Sequence, residues 1–152
     1  MLDTLKKADG FTLIEVLVTL TLCGSLIGLT VLFGIAFYRS EGFYSQTRAM
    51  VHILETARAN AQNGENGTAH GVRFFEDGYV LFSGNSYAVS APSSRVFFTN
   101  VYPITISAQP FPEVIFTFRS ATSADQVITV IDRARSSVSS LIKINYEGHI
   151  EF

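Results

Sequence analysis

Cysteine is nearly absent from this chain: Cys23 is the only one in 152 residues. No intrachain disulfide can form, so any folded part must be held by burial alone. Concentrated charge is lacking too. The net charge is −2, and beyond Phe37 nine Lys/Arg and ten Asp/Glu are dispersed along the chain. That excludes the basic block expected of a strong non-specific nucleic-acid binder. There is no G-x-S-x-G, no Gly-rich phosphate loop and no cysteine beside an activating base. The histidines, His52, His70 and His149, form no H-x-x-x-H pair and have no cysteine partner, so neither a metal nor another cofactor is expected. Nothing in the chain points to an enzyme.

One long hydrophobic run is present. From Phe11 to Phe37 the single charged residue is Glu15. A helix over that run reaches about 40 Å at roughly 1.5 Å per residue, enough to cross a hydrocarbon core of about 30 Å. An unpaired acid there costs on the order of 2.5–3.5 kcal/mol near the centre and less near an end, so a charge retained in this place calls for a partner. Ahead of it Met1 to Gly10 is short and polar, with Lys6 and Lys7 just before the apolar residues. This lysine pair places the N-terminus in the cytoplasm and the C-terminal bulk outside.

The succession of charged leader, Gly10, Phe11, Thr12, Leu13, Ile14, Glu15 and apolar helix resembles the class III signal of type IV pilins and type II secretion pseudopilins. The resemblance covers roughly residues 5 to 35. It implies that a prepilin peptidase cuts between Gly10 and Phe11 and that the new Phe11 amine is N-methylated. It also implies that Glu15 neutralises the Phe11 amine of a neighbouring subunit, which supplies the missing partner. Other pilin subunits, a pilus assembly platform and the membrane are the implied partners. The chain would wait as a single-pass protein of the inner membrane before entering a pilus or pseudopilus. Two plainer readings compete: an ordinary secretory signal cut before Phe37, after the small-x-small triplet Gly34-Ile35-Ala36, and a simple anchor. Secretory signals have an apolar core of about 7–15 residues, shorter than this run, and lack an acid.

The helical pattern continues past Phe37. Phe43, Thr47, Met50, Leu54, Ala57 and Ala61 follow alternate spacings of four and three, one face of an amphipathic helix, with Arg48, Glu55 and Arg58 opposite. No Pro- or Gly-rich linker interrupts Gly42 to Gln62, and Asn63-Gly64 is a stop signal. The expectation is one helix from about Phe11 to Gln62. The segments are then a leader at 1–10, a transmembrane and assembly half at 11–37, an amphipathic half at 38–63 and a β-rich domain at 64–152.

From residue 70 the period drops to about two. Gly71–Phe75, Tyr79–Ser83, Tyr87–Ser90, Arg95–Thr99, Tyr102–Ser107, Val114–Arg119, Val127–Ile131, Leu141–Tyr146 and Ile150–Phe152 read as short strands. Glu76-Asp77-Gly78 turns the first into the second, and Gly84-Asn85-Ser86 turns the second into the third. Ile142, Ile144 and Tyr146 share one face of their strand. The fold class is α+β, a long N-terminal helix against mostly antiparallel sheet, since a small disulfide-free sheet needs a helix to complete its core. In pattern the strand-rich tail is closest to the H-type minor pseudopilins and their pilus relatives, and many major pilins carry the disulfide that this chain lacks.

Three further features are candidates for function. Gly24 and Gly28 form G-x-x-x-G, a spacing for close helix packing, for local melting on filament entry as the resemblance implies, or for nothing specific. Arg133 and Arg135 could contact DNA phosphates, as in a DNA-capturing minor pilin at a pilus tip, or sit in a solvated loop. Asn66-Gly67-Thr68 fits a glycosylation sequon or simply serves a turn.

Overall fold

The computed structural model describes residues 11–109 and 112–152. The expected leader, with Lys6, Lys7 and the Gly10 side of the cleavage site, lies outside the described residues. The chain divides into two compact units, Met1–Ser40 and Glu41–Phe152. A single helix, α1, runs from Leu13 to Asn63, within two residues of the expected span at either end.

In the first unit, Leu13–Val31 is long and apolar enough to cross a membrane, and its leucine, isoleucine and valine side chains are exposed. The hydroxyls along it are answered within the helix. Thr19, Thr21, Ser25 and Thr30 each donate to a carbonyl three or four residues back, at 2.8–3.1 Å. A segment that satisfies its own polar groups can face hydrocarbon.

In the second unit the expected stripe is the core. Phe43, Thr47, Met50, Leu54, Ala57 and Ala61 are all buried, while Arg48 and Glu55 are exposed and Arg58 is half-buried. Among the described residues eight strands follow: β1 (His70–Phe74), β2 (Gly78–Ser83), β3 (Val96–Thr99), β4 (Ile104–Gln109), β5 (Glu113–Phe116), β6 (Gln126–Asp132), β7 (Ser139–Ile144) and β8 (Ile150–Glu151). They form two antiparallel four-stranded sheets, ordered β3-β2-β1-β5 and β4-β6-β7-β8. Val72, Val114 and Phe116 of the first sheet and Ile128, Val130, Ile142 and Ile144 of the second share one cluster with the helix stripe. The α+β class is as expected; the division into two sheets is new.

Helix α1 stops where the sequence indicates. Gly64 adopts φ +68°, its N–H donates to the Ala61 carbonyl at 3.2 Å, and the Arg119 N–H reaches the same carbonyl at 2.8 Å. A left-handed residue just past the end costs glycine little and satisfies a terminal carbonyl. The Glu76–Gly78 hairpin forms, with the Phe75 N–H on the Gly78 carbonyl at 2.8 Å.

Two strand expectations fail. Tyr87–Ser90 is a turn, because its carbonyls are taken by a side chain: the Arg95 guanidinium donates to the carbonyls of Tyr87 and Ser90 at 2.8 and 2.7 Å. The same guanidinium lies 4.2 Å over the Tyr87 ring, a cation–π contact that holds the turn in place. Tyr146 does not share a face with Ile142 and Ile144. The strand ends at Ile144, the Asn145 carboxamide accepts the His149 N–H at 2.8 Å, and Gly148 at φ +73° closes the turn. Tyr146 is left exposed.

Leu54 is fully buried among both sheets, so Leu54→Ala should destabilise the protein by about 2–5 kcal/mol. Arg48→Ala on the exposed face should stay within about 0.5 kcal/mol. Urea unfolding followed by tyrosine fluorescence of the detergent-solubilised chain measures both.

Candidate functional site

The start of α1 has an arrangement that the sequence pattern contained but that was not read from it. Thr12 precedes the first helical residue, and its Oγ1 accepts the Glu15 N–H at 3.3 Å. Thr12-Leu13-Ile14-Glu15 is thus the T-x-x-E spacing of a capping box, with Glu15 at the third helical position. The first-turn N–H groups carry partial positive charge, so a carboxylate is favoured there over any other place in the helix. Glu15 belongs to the exposed surface of this unit. Phe11, four residues before it, is also exposed. One end of an apolar helix therefore presents an acid and an aromatic residue together.

Further along, Gly24 and Gly28 occupy open helix surface: a Cβ built on either meets nothing within 4 Å. Cys23 is exposed and free. This stretch offers small residues and one thiol to whatever covers the helix.

The two candidate DNA contacts lie in the turn between β6 and β7, and both guanidinium groups are engaged. Arg133 pairs with Glu76 at 3.3 Å, on the surface. Arg135 Nε donates to Asp132 Oδ2 at 3.0 Å. Asp132 has no exposed surface and also accepts the Ala134 N–H at 2.8 Å and the Tyr102 hydroxyl at 3.2 Å. Burial pushes its carboxyl upward, but the Ala134 N–H, the Arg135 guanidinium and the Tyr102 hydroxyl outweigh that and hold it below its ordinary 3.8. Asp132 in turn raises Arg135. Asp132 organises the turn.

Tyr102 extends the network to the helix. Its ring lies so close to Gly42 that an added Cβ would sit 2.6 Å from it. Gln46 completes the junction, accepting the Val101 N–H at 3.2 Å and facing Asn100 at 3.3 Å. Gly42 is a glycine for lack of space.

The histidines stay apart. His70 is buried, with its ring nitrogens 2.9 Å from the Glu65 carbonyl and 3.2 Å from the Ser83 hydroxyl. His149 lies 4.0 Å from Glu151, and His52 is exposed. Among the described residues no group of three His, Cys, Asp or Glu could hold a metal. Asn66, in the sequon, has φ +54° and donates to Ser83 Oγ at 3.4 Å, so it takes part in the turn after α1.

Comparison with known proteins falls into two parts. Residues 5–36 match the prokaryotic N-terminal methylation motif. Two crystal structures of the type IV minor pilin FimU of Pseudomonas aeruginosa share the fold, with TM-scores of 0.61 and 0.56, each at 14% identity. They cover 76% and 71% of this chain and 91% and 90% of FimU. No curated protein matches the chain at a significant level. A methylation motif at the N-terminus and a minor-pilin fold in the same chain support the resemblance to type IV pilins and pseudopilins.

The Asp132 network generates a pH prediction. A carboxyl held below its unfolded value contributes stability that is full above about pH 4 and is lost as the pH falls through the folded value. Asp132→Asn should therefore unfold at lower urea than wild type at neutral pH, and the gap should narrow as the pH drops from about 4. A gap unchanged down to pH 2 would show that the charge of Asp132 contributes nothing.

Proposed function

We propose that the chain is a minor-pilin-like structural subunit. It is made with a leader, cut between Gly10 and Phe11 by a prepilin peptidase, N-methylated on Phe11 and held in the cytoplasmic membrane by residues 11–37. The observation that carries the proposal is the position of Glu15. It is the one acid between Phe11 and Phe37, it stands in the first turn of α1, and it lies inside the stretch that matches the methylation motif. Lys6 and Lys7 keep the N-terminus in the cytoplasm and the domain outside. The chain is a substrate of the processing enzymes and performs no catalysis itself.

Cleavage would create a positive amine at Phe11, at a helix end whose own dipole is already positive. In the low-dielectric interior of a filament such a charge needs an opposite one close by. Glu15 of the adjacent subunit would provide it, setting the register in which the Phe11–Phe37 segments of many copies and other pilin-like subunits pack. Gly24 and Gly28 would let two such helices approach closely. The assembly is a type IV pilus or a secretion or competence pseudopilus, built on an assembly platform. The strand-rich, disulfide-free domain favours a minor subunit. Capture of DNA through Arg133 and Arg135 is disfavoured, because both are paired with carboxylates.

Two measurements test this reading. N-terminal sequencing and mass spectrometry of the mature protein should find Phe11 first, carrying one methyl on its amine. A start at Phe37 would instead establish an ordinary secretory signal. Glu15→Val makes the helix more apolar, so the variant should insert and be processed as well as wild type. Its recovery in sheared filaments should nevertheless fall by at least about tenfold, the consequence of an uncompensated charge worth 1.4 kcal/mol or more. Recovery at the wild-type level would remove the proposed role of Glu15.

A further inference from the structure

Strand β3 is an edge strand whose open side carries no protection. Between Asp77 and Glu113 the only charged residue is Arg95, and its guanidinium is turned onto the Tyr87 and Ser90 carbonyls. Edge strands are commonly guarded by a lysine, a proline, a bulge or a covering segment. From Val96 to Val101 there is no charge and no proline, and β3 pairs with β2 in unbroken register. Among the described residues no strand lies on its other side. Val96 is 51% exposed, Phe97 68% and Val101 94%.

The direction of the free groups follows from the ladder. The Asn100 N–H donates to the Asp77 carbonyl at 3.0 Å. By the two-residue alternation of an antiparallel pair, Asn100, Phe98 and Val96 turn their main-chain groups to β2. Those of Phe97 and Thr99, both exposed residues, point away from it. They have no partner among the described residues. The open length is bounded at both ends: the Arg95 N–H is taken by the Pro92 carbonyl at 3.3 Å, and the Val101 N–H by Gln46 Oε1 at 3.2 Å. Two N–H and two C=O groups thus stand in a row along the edge. The strand is held in place before any partner arrives, since Phe98 packs against the core and stacks on Tyr79 with ring centroids 5.5 Å apart. Little of the edge has to be ordered on binding.

Alternating main-chain donors and acceptors match another extended backbone. The charge-free flank disfavours a charged strand, because a charge brought there is desolvated with no counter-charge. The exposed apolar surface is on the order of 300 Å² a side, well below the roughly 800 Å² that each partner contributes to a stable free complex. A free strand is therefore held weakly. The natural occupant is a chain kept alongside, where an effective concentration in the millimolar range fills a weak site. Antiparallel pairing of β3 with β3 of a second copy would turn residues 41–63 of α1 end for end, which copies standing in one membrane cannot do. The occupant is a different protein.

We infer that β3 accepts an extended, uncharged segment of a different subunit assembled beside this chain, as a fifth strand of the first sheet. The segment's N–H groups donate to the carbonyls of Phe97 and Thr99, and its carbonyls accept from their N–H groups. Apolar or threonine side chains on one of its faces pack against Phe97, and those on the other against Val96. The neighbour's presence rests on the proposed role as an assembled subunit; the open edge does not.

The test uses the full-length ¹⁵N-labelled protein in detergent micelles, with acetyl-Thr-Val-Thr-Val-Thr-amide as probe and its fully N-methylated form as control. Millimolar peptide should shift the Phe97 and Thr99 amide signals and slow their hydrogen exchange severalfold. Phe98, whose N–H faces β2, should change less. The N-methylated peptide should bind at least about tenfold more weakly, having lost the donors for the two carbonyls. Thr99→Pro removes an outward N–H without touching the β2 ladder and should abolish the effect. Phe97→Lys, at an exposed position, should weaken it severalfold and decides the matter if the proline variant folds poorly. No change at Phe97 and Thr99 overturns the inference, as does equal binding of the N-methylated peptide or binding unchanged in both variants. Protection of those amides without peptide, rising with protein concentration, would assign the edge to a second copy and overturn it too. Failure here leaves processing at Gly10 and Phe11 untouched, and a mature chain that starts elsewhere leaves the edge untouched.

Discussion

Burial of one helix stripe is the interaction on which the folded unit depends. Phe43, Met50, Leu54, Ala57 and Ala61 share one buried cluster with side chains from both sheets. At roughly 25 cal/mol per Å² of apolar area removed from water, such a stripe outweighs any surface ion pair in the unit.

The same helix solves a different problem in its first unit. Its threonines and serines turn their hydroxyls back onto the helix, so its outward surface is almost wholly apolar. Glu15 is the exception, placed where the helix itself favours an anion. A local role as capping-box acid and the proposed assembly role as counter-charge do not compete.

Charge inside the second unit is used for turns. Asp132 collects a main-chain N–H, a guanidinium and a phenol, and thereby fixes the β6–β7 turn and seats Tyr102 against Gly42. Arg95 does the same for the turn after β2, holding two carbonyls and the Tyr87 ring. In both places an arginine that reads as a surface charge is a connector. Its five donors and planar face let it replace a missing strand partner.

Periodicity and local chemistry by themselves determined the helix, its buried face, its glycine stop, the first hairpin and most strands. Each of these depends on residues close in sequence, where a 3.6- or 2-residue pattern and a glycine at positive φ are decisive. The methylation motif was legible for the same reason, being a fixed local order of Gly10, Phe11 and Glu15. Tertiary structure alone decided the split into two sheets, the loss of a strand at Tyr87–Ser90, the exposure of Tyr146 and the pairing of Arg133 and Arg135. Arg133 meets Glu76 across 57 positions, and a contact at such a separation leaves no period in the chain that encodes it; Arg135 and Arg95 act within a few positions, but through side-chain hydrogen bonds that periodicity does not report.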